Sequence, residues 1–255
     1  MPAPVNELKR RLAAGETLHG CWVGLADPYV AEITAGAGFD WLLVDAEHAP
    51  NDLRSIVAQL QVIGASASLP VVRLPDHDPA AIKRVLDAGA QSLLIPMVES
   101  AAEAETILRA TRYPPAGFRG VGYALGRASG FDAVADYAGS ANDEICLLVQ
   151  VESRAGLEAL DEILAIDGLD GVFIGPADLA ADMGHLGAPA APEVKAAVLD
   201  ALSRIRAAGR SAGVLTTDPG YIEACRDAGA NFVGVGVDVI LYAHAIRDLA
   251  ARWQG

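Results

Sequence analysis

Two apolar runs of this chain each end on a carboxylate. Ile145-Cys146-Leu147-Leu148-Val149-Gln150-Val151 runs into Glu152, and Gly171-Val172-Phe173-Ile174 passes through Gly175-Pro176-Ala177 to Asp178. Each pattern reads as a buried parallel strand surfacing at its C-terminal end. As parallel neighbours, the two strands would bring Glu152 and Asp178 side by side at one rim of a sheet. Two hard oxygen ligands, with positions left for water and substrate, suit Mg²⁺ or Mn²⁺. The plainer reading makes both carboxylates N-caps of the helices that follow.

Other strand-like runs end on groups that can act with such a cation. Trp41-Leu42-Leu43-Val44 delivers Asp45, Glu47 and His48, and Leu69-Pro70-Val71-Val72 delivers Arg73. An arginine leaving an apolar strand must find a carboxylate pair or an anionic substrate. Asp45 meets the same difficulty, and carboxylates near a cation can hold its waters. Glu47 can pair with Arg73 for structural reasons alone, and His48 can simply cap the next helix. Trp22 lies near the mouth of the first strand, and the seventh and eighth end at Thr216-Thr217-Asp218 and Asp238. Those last two aspartates disfavour a phosphate there. Asp87 sits on a helical stretch with Lys83 four residues back, where a surface ion pair is the plain reading.

These residues need a scaffold that gathers strand ends. Eight strand-like runs are read at His19–Leu25, Trp41–Asp45, Pro70–Leu74, Ser92–Val98, Ile145–Glu152, Gly171–Ile174, Ala212–Thr216 and Asn231–Val237. Helical periodicity fills the intervals at Tyr29–Ala37, Leu53–Ile63, Pro79–Ala88, Ala101–Ala110, Leu157–Ile166, Pro192–Ala208, Pro219–Ala228 and Val239–Trp253, after a short first helix over 4–14 with Asn6 as its cap. Alternation without a linker predicts a single (β/α)₈ barrel over residues 1–255, with its active site at the C-terminal strand ends. A doubly wound dinucleotide fold would want a GxGxxG turn after the first strand, and Cys21–Pro28 has none. The long interval before the fifth strand is turn-rich over 113–122 and is expected to form a lid or wall over the C-terminal face.

Composition narrows the partners. Hydrophobic residues make up 52%, enough for a large core, and 26 glycines suit many tight turns. A formal charge of −14 argues against nucleic acid and anionic membranes. Cys21, Cys146 and Cys225 show no CxxC spacing, and Cys21 and Cys146 lie in apolar runs as small core residues. No apolar stretch reaches spanning length, and the first residues carry no apolar leader. The expectation is a soluble, cytoplasmic protein.

Four motifs in order resemble the HpcH/HpaI aldolases, metal-dependent class II pyruvate aldolases of the 4-hydroxy-2-oxoheptanedioate aldolase type. They are Asp40-Trp41-Leu42-Leu43-Val44-Asp45-Ala46-Glu47-His48-Ala49-Pro50-Asn51, the segment 110–122 around Tyr113-Pro114-Pro115-Ala116-Gly117-Phe118-Arg119-Gly120, Leu148-Val149-Gln150-Val151-Glu152, and 171–179. The resemblance implies a phosphoenolpyruvate/pyruvate-type barrel, usually a hexamer (a trimer of dimers) with its last helix exchanged between subunits, working in aromatic-compound catabolism. It implies a divalent cation (Mg²⁺, Mn²⁺ or Co²⁺) on Glu152 and Asp178, Arg73 facing the pyruvyl oxygen, and His48 with Asp45 as the acid–base pair. Asp87 matches a residue that reaches a neighbouring subunit's site. Substrate contacts are expected at Trp22, Arg73, Gln150, Phe173, Gly175, Pro176, Ala177, Asp178 and Leu215. Tyr123 stands where the family usually has a small residue, which bears on the acceptor.

The chemistry of these groups agrees. A 2-oxo acid would chelate the cation through its carboxylate and 2-oxo oxygens, so that loss of a methyl proton gives an enolate. Arg73 would face the growing charge, N–H groups of Ala177 and Asp178 would hold the carboxylate, and a base near His48 would take the C4 hydroxyl proton during cleavage. Lys9, Lys83 and Lys195 all lie on helical stretches, against a Schiff-base route. Arg119 and Arg127 are candidates to meet a distal carboxylate on the aldehyde, with plain surface charge as the alternative. Two rival functions are a lyase or mutase of the same barrel type and a catalytically silent 2-oxo acid binder.

Overall fold

The computed structural model describes residues 1–254. Eight strands, β1 (Leu18–Val23), β2 (Trp41–Asp45), β3 (Leu69–Arg73), β4 (Ser92–Ile95), β5 (Cys146–Val151), β6 (Gly171–Ile174), β7 (Ser211–Leu215) and β8 (Phe232–Val237), pair in parallel, each with the next, and β8 closes on β1. Helix α1 (Glu7–Ala13) precedes β1. The crossovers are α2 (Pro28–Ala35), α3 (Leu53–Ile63), α4 (Pro79–Asp87), α5 (Ala101–Ala110), α6 (Tyr137–Ser140), α7 (Arg154–Glu158), α8 (Leu160–Leu164), α9 (Pro176–Asp182), α10 (Pro192–Ala207) and α11 (Pro219–Asp227). A last helix, α12, covers Asp238–Trp253. This is the expected (β/α)₈ barrel.

Two apolar layers follow from strand alternation. Inside the barrel, Trp22, Trp41, Leu94, Leu148, Phe173 and Phe232 fill the lumen. The rings of Trp41 and Phe232 stack at 3.9 Å between centroids. Gly20 allows this, because a Cβ there would fall 2.0 Å from the Trp41 ring. Leu8 and Leu12 of α1 join the same cluster and close the N-terminal end. Asn6 caps α1 as expected, accepting from the Lys9 N–H at 3.1 Å, and its amide ties to Gln91, Ser92 and Glu144. Outside, the other strand faces pack against the helices, with Ile56, Leu60, Ile82, Val198 and Leu202 among the buried contacts.

Three sequence readings are corrected. The long segment is not a lid over the C-terminal face. It follows α5 and precedes β5, so it must lie at the N-terminal face, where Ala3 N–H donates to Ser140 Oγ at 2.7 Å and Asp136 N–H to the Met1 carbonyl at 3.1 Å. The stretch read as one helix over 157–166 is two, α7 and α8, divided at Ala159. The helix that Asp178 caps in the plainer reading, α9, starts earlier: Gly175 precedes it, Pro176 opens it and Asp178 lies within its first turn.

Candidate active site

Most of the predicted site residues converge on one cavity at the C-terminal strand ends, about 680 Å³ in volume, lined by Trp22, Asp45, His48, Arg73, Gln150, Phe173, Gly175, Pro176, Ala177, Asp178 and Leu215. Register puts Asp45 beside Arg73 on β2 and β3, and Gln150 beside Phe173 on β5 and β6. The rings of Trp22 and Phe173, 5.5 Å apart, form the apolar floor.

Arg73 is the centre of charge. Its Nε donates to Asp45 Oδ1 at 2.8 Å and its Nη2 to Asp45 Oδ2 at 2.6 Å, a bidentate fork. Its Nη1 lies 2.8 Å from Glu47 Oε2, so the carboxylate-pair alternative is realised with both partners. Burial works against the guanidinium charge, but Asp45 and Glu47 outweigh it and the group is held more firmly protonated than usual. The guanidinium also stands 5.8 Å from the Trp22 ring centroid. Asp45 Oδ1 accepts the backbone N–H of Glu47 at 3.0 Å and, more weakly, that of His48 at 3.4 Å, which folds the β2 exit back over the site. Burial raises the Glu47 carboxyl, and Arg73 pulls the other way. His48 is open to solvent, its Nε2 3.9 Å from Glu47 Oε1.

Glu152 does not line the cavity itself but lies against its lining residue Gly175. It is buried, its Oε1 accepts the Met97 N–H at 2.9 Å, and its Oε2 accepts from the Gln150 amide. Met97 adopts φ 55° to aim that N–H, a left-handed conformation uncommon outside glycine. Gly175 leaves room for the carboxylate, since a Cβ there would sit 2.3 Å from Glu152 Oε2. Burial drives the Glu152 carboxyl up to about 7 against the hydrogen bonds from Gln150 and Met97, and the charges of Asp178 and Glu47 add to the rise. Asp178 stands exposed in the first turn of α9, whose N-terminus has no side-chain cap.

These residues fit a divalent cation. Two carboxylates repel each other across a partly dry site, and Gln150 Oε1 is buried without a hydrogen-bond partner. A cation with its water shell would satisfy both. No group of three or more His, Cys, Asp or Glu side chains suited to a metal occurs among the described residues, so the protein would supply two ligands and leave the rest to water and substrate.

Other candidates lie elsewhere. Asp87 ends α4 at the opposite face and pairs with Arg119 at 2.7 Å, not with Lys83 as read from the sequence. Arg119 is fully buried over the Tyr113 ring, and Arg127 donates to the Ala88 carbonyl at 3.4 Å. Neither arginine meets the cavity. Asp238 is buried at the start of α12 and accepts the Gly24 N–H at 2.7 Å, so it ties the β1 exit rather than facing a ligand. Sequence reasoning missed the apolar wall of Pro189, Ala190, Tyr221, Val239 and Ile240. Pro189 and Ala190 lie in the run-in to α10, Tyr221 on α11, and Val239 and Ile240 in the first turn of α12; periodicity alone does not bring these to one cavity.

Known proteins share this arrangement along their whole length. A hydroxypyruvate/pyruvate aldolase of Roseovarius nubinhibens is 60% identical, the alignment covering 100% of this chain and 99% of the relative. A 4-hydroxy-2-oxo-heptane-1,7-dioate aldolase of Klebsiella pneumoniae is 54% identical over 97% of this chain and 94% of its own. The crystal structure of a family protein from Burkholderia cenocepacia superposes with a TM-score of 0.93 at 40% identity, covering 98% of this chain and all of that one. The family profile described as HpcH/HpaI aldolase/citrate lyase matches residues 18–245, and this chain belongs to that family.

Proposed function

We propose that this enzyme, a carbon–carbon lyase of the aldolase type, reversibly cleaves 4-hydroxy-2-oxo acids to an aldehyde and pyruvate or hydroxypyruvate, with a divalent cation (Mg²⁺, Mn²⁺ or Co²⁺) on Glu152 and Asp178. The observation that carries the reading is one cavity bearing a fixed arginine and Asp178, with the buried Glu152 carboxylate against its Gly175 wall and repelled by Asp178. When bound, the cation supplies Lewis acidity to the carboxylate and 2-oxo oxygens of the substrate. Arg73, held by Asp45 and Glu47, turns its remaining N–H groups to the 2-oxo oxygen, where charge grows toward the transition state. The uncapped N–H groups of Ala177 and Asp178 hold the carboxylate, while Pro176 donates none. Gln150 Oε1 accepts from a substrate or water proton, and Trp22 and Phe173 keep bulk water from the floor. His48, exposed at the mouth, takes the C4 hydroxyl proton as the C3–C4 bond breaks and returns it in synthesis.

The same reading makes the protein a cytoplasmic homohexamer, a trimer of dimers serving aromatic-compound catabolism, with α12 exchanged and Asp87 presented to a neighbour's site. Its support is the apolar surface that α12 leaves uncovered and the position of Asp87 on an outer helix end. No helix among the described residues is long and apolar enough to cross a membrane. Pyruvate release from a racemic 4-hydroxy-2-oxo acid tests the chemistry. Release should stop after exhaustive chelation and return with Mg²⁺, Mn²⁺ or Co²⁺. Undiminished release after chelation removes the cation from the proposal, and no release under any condition removes the reaction.

A further inference from the structure

His48 is carried by a short loop that is tied at both ends. The loop runs from Asp45, the last residue of β2, to Asn51, shortly before α3. Asp45 Oδ1 holds its first half by accepting the N–H groups of Glu47 and, more weakly, His48. Asn51 holds the second half: its Nδ2 donates to the Asp45 carbonyl at 2.7 Å and closes the loop into a ring. With 65% of its side chain exposed, His48 is set by the backbone that carries it more than by packing.

Asn51 is itself gripped from α3. Its Oδ1 accepts from Ser55 Oγ at 2.8 Å and from Gln59 Nε2 at 2.7 Å. The Asp45 carbonyl can only accept, so Asn51 must turn its nitrogen to the loop and its oxygen to α3, and Gln59 must then donate. One line of donation results, from Gln59 to Asn51 to Asp45. Gln59 Nε2 also donates to the Ser55 carbonyl at 3.0 Å. Gln59 is fully buried on a helix face shared with Ile56, Leu60 and Ile63, and its Oε1 has no hydrogen-bond partner. An unpaired buried oxygen costs stability, and a methionine of similar shape would avoid that cost. Core packing therefore does not account for a glutamine here, whereas its grip on Asn51 does.

We propose that Gln59 and Asn51 are positioning residues for the proton-transfer step: from the core side of α3, Gln59 fixes Asn51, and Asn51 fixes the loop that holds His48 at the cavity mouth. The inference rests on the role given to His48 in the aldolase reading and deepens it. Neither residue hydrogen-bonds to Arg73, Glu152 or Asp178, and Asp45 stays in register with Arg73 through the pairing of β2 and β3. Enolisation, which needs those groups, should survive a loosened loop; cleavage, which needs His48, should not.

Gln59→Met keeps the shape and removes the donor. Asn51→Ala, outside the core, is the second variant and leaves Gln59 its bond to the Ser55 carbonyl. In each, kcat for cleavage of a 4-hydroxy-2-oxo acid should fall by severalfold to about tenfold, while metal-assisted deuterium exchange into the pyruvate methyl group stays within about twofold of wild type. On a His48→Ala background, which should itself lose cleavage and keep exchange, neither substitution should cost anything further, because the group they position is gone. Unchanged cleavage in both single variants, equal losses of cleavage and exchange, or a loss that persists in full without His48 overturns the proposal alone and makes the network plain support for the fold. Cleavage undiminished by His48→Ala removes His48 from the aldolase reading, and no exchange with Mg²⁺, Mn²⁺ or Co²⁺ sinks that reading itself; either result takes the proposal with it.

Discussion

Arg73 carries two burdens at once, and its substitution must be read with both in mind. The sequence showed that a charge at the end of Leu-Pro-Val-Val needs partners, and the structure supplies Asp45 and Glu47 within 2.6 to 2.8 Å. Removing the guanidinium leaves two largely buried carboxylates without their cation, a loss of about 3–5 kcal/mol for a buried pair of this kind. Arg73→Ala should thus melt earlier and also lose on the order of a hundredfold in kcat, the typical cost of one oxyanion donor. Arg73→Lys keeps the charge without the planar fork and should retain part of both. Measurement of kcat, KM and Tm on the two variants checks this; an Arg73→Ala protein still folded at the assay temperature and turning over normally would take Arg73 out of the chemistry. His48 was less legible. Nothing physical forces a solvent-exposed histidine to be functional, so its role came from the resemblance, as did the catalytic roles of Asp45 and Arg73; the apolar runs before those two showed only that their charges need partners.

Elements decide how Glu152 behaves. Strand β5 buries it, β4 ends in the left-handed Met97 that fixes Oε1, and the Gly175 turn gives it room. Burial lifts its carboxyl from 4.5 to about 7 in the folded, metal-free protein. Between those values the folded state holds a proton that the unfolded state has lost. The stability of the metal-free protein should therefore fall as pH rises from about 4.5 to about 7 and then level off. A cation must displace that proton, so metal affinity should run the other way, rising by up to on the order of tenfold per pH unit below about 7 and flattening above it. Melting curves without metal and titrations with Mn²⁺ at several pH values should show these opposite slopes, and Glu152→Gln should abolish both. Affinity that stays flat from pH 5.5 to 7 would refute the assignment. Most of these elements were legible: β2 and β6 have the bounds read from the sequence, and Glu152 and Asp178 do leave neighbouring strands. The failures share one cause. Face and direction of a loop depend on what it joins, so a turn-rich segment between a helix and a strand had to lie at the N-terminal face. Likewise Arg119, Arg127 and the apolar wall of the cavity are placed by chain path, which periodicity does not encode.

At the scale of the whole molecule, the barrel satisfies its own core and leaves one element without a partner. Helix α12 buries Asp238, which anchors it to the β1 exit, and then leaves Leu241, Tyr242, Ile246 and Leu249 about half exposed and Trp253 84% exposed. The sixteen-residue helix is amphipathic in sequence, yet among the described residues nothing covers its apolar side. Contiguous apolar surface of this kind marks an interface. With a formal charge of −14, copies of the chain repel one another at long range, so association must draw on burial of this surface. Light scattering of the wild type should give the mass of a hexamer. Leu241→Asp together with Leu249→Asp, which place charge on the exposed side without touching the barrel core, should shift it to smaller species with the barrel's circular dichroism retained. Lower ionic strength should weaken assembly in the wild type, because the repulsion is then less screened. A monomeric wild type, or a double variant that keeps the wild-type mass, would show that α12 does not hold the subunits together.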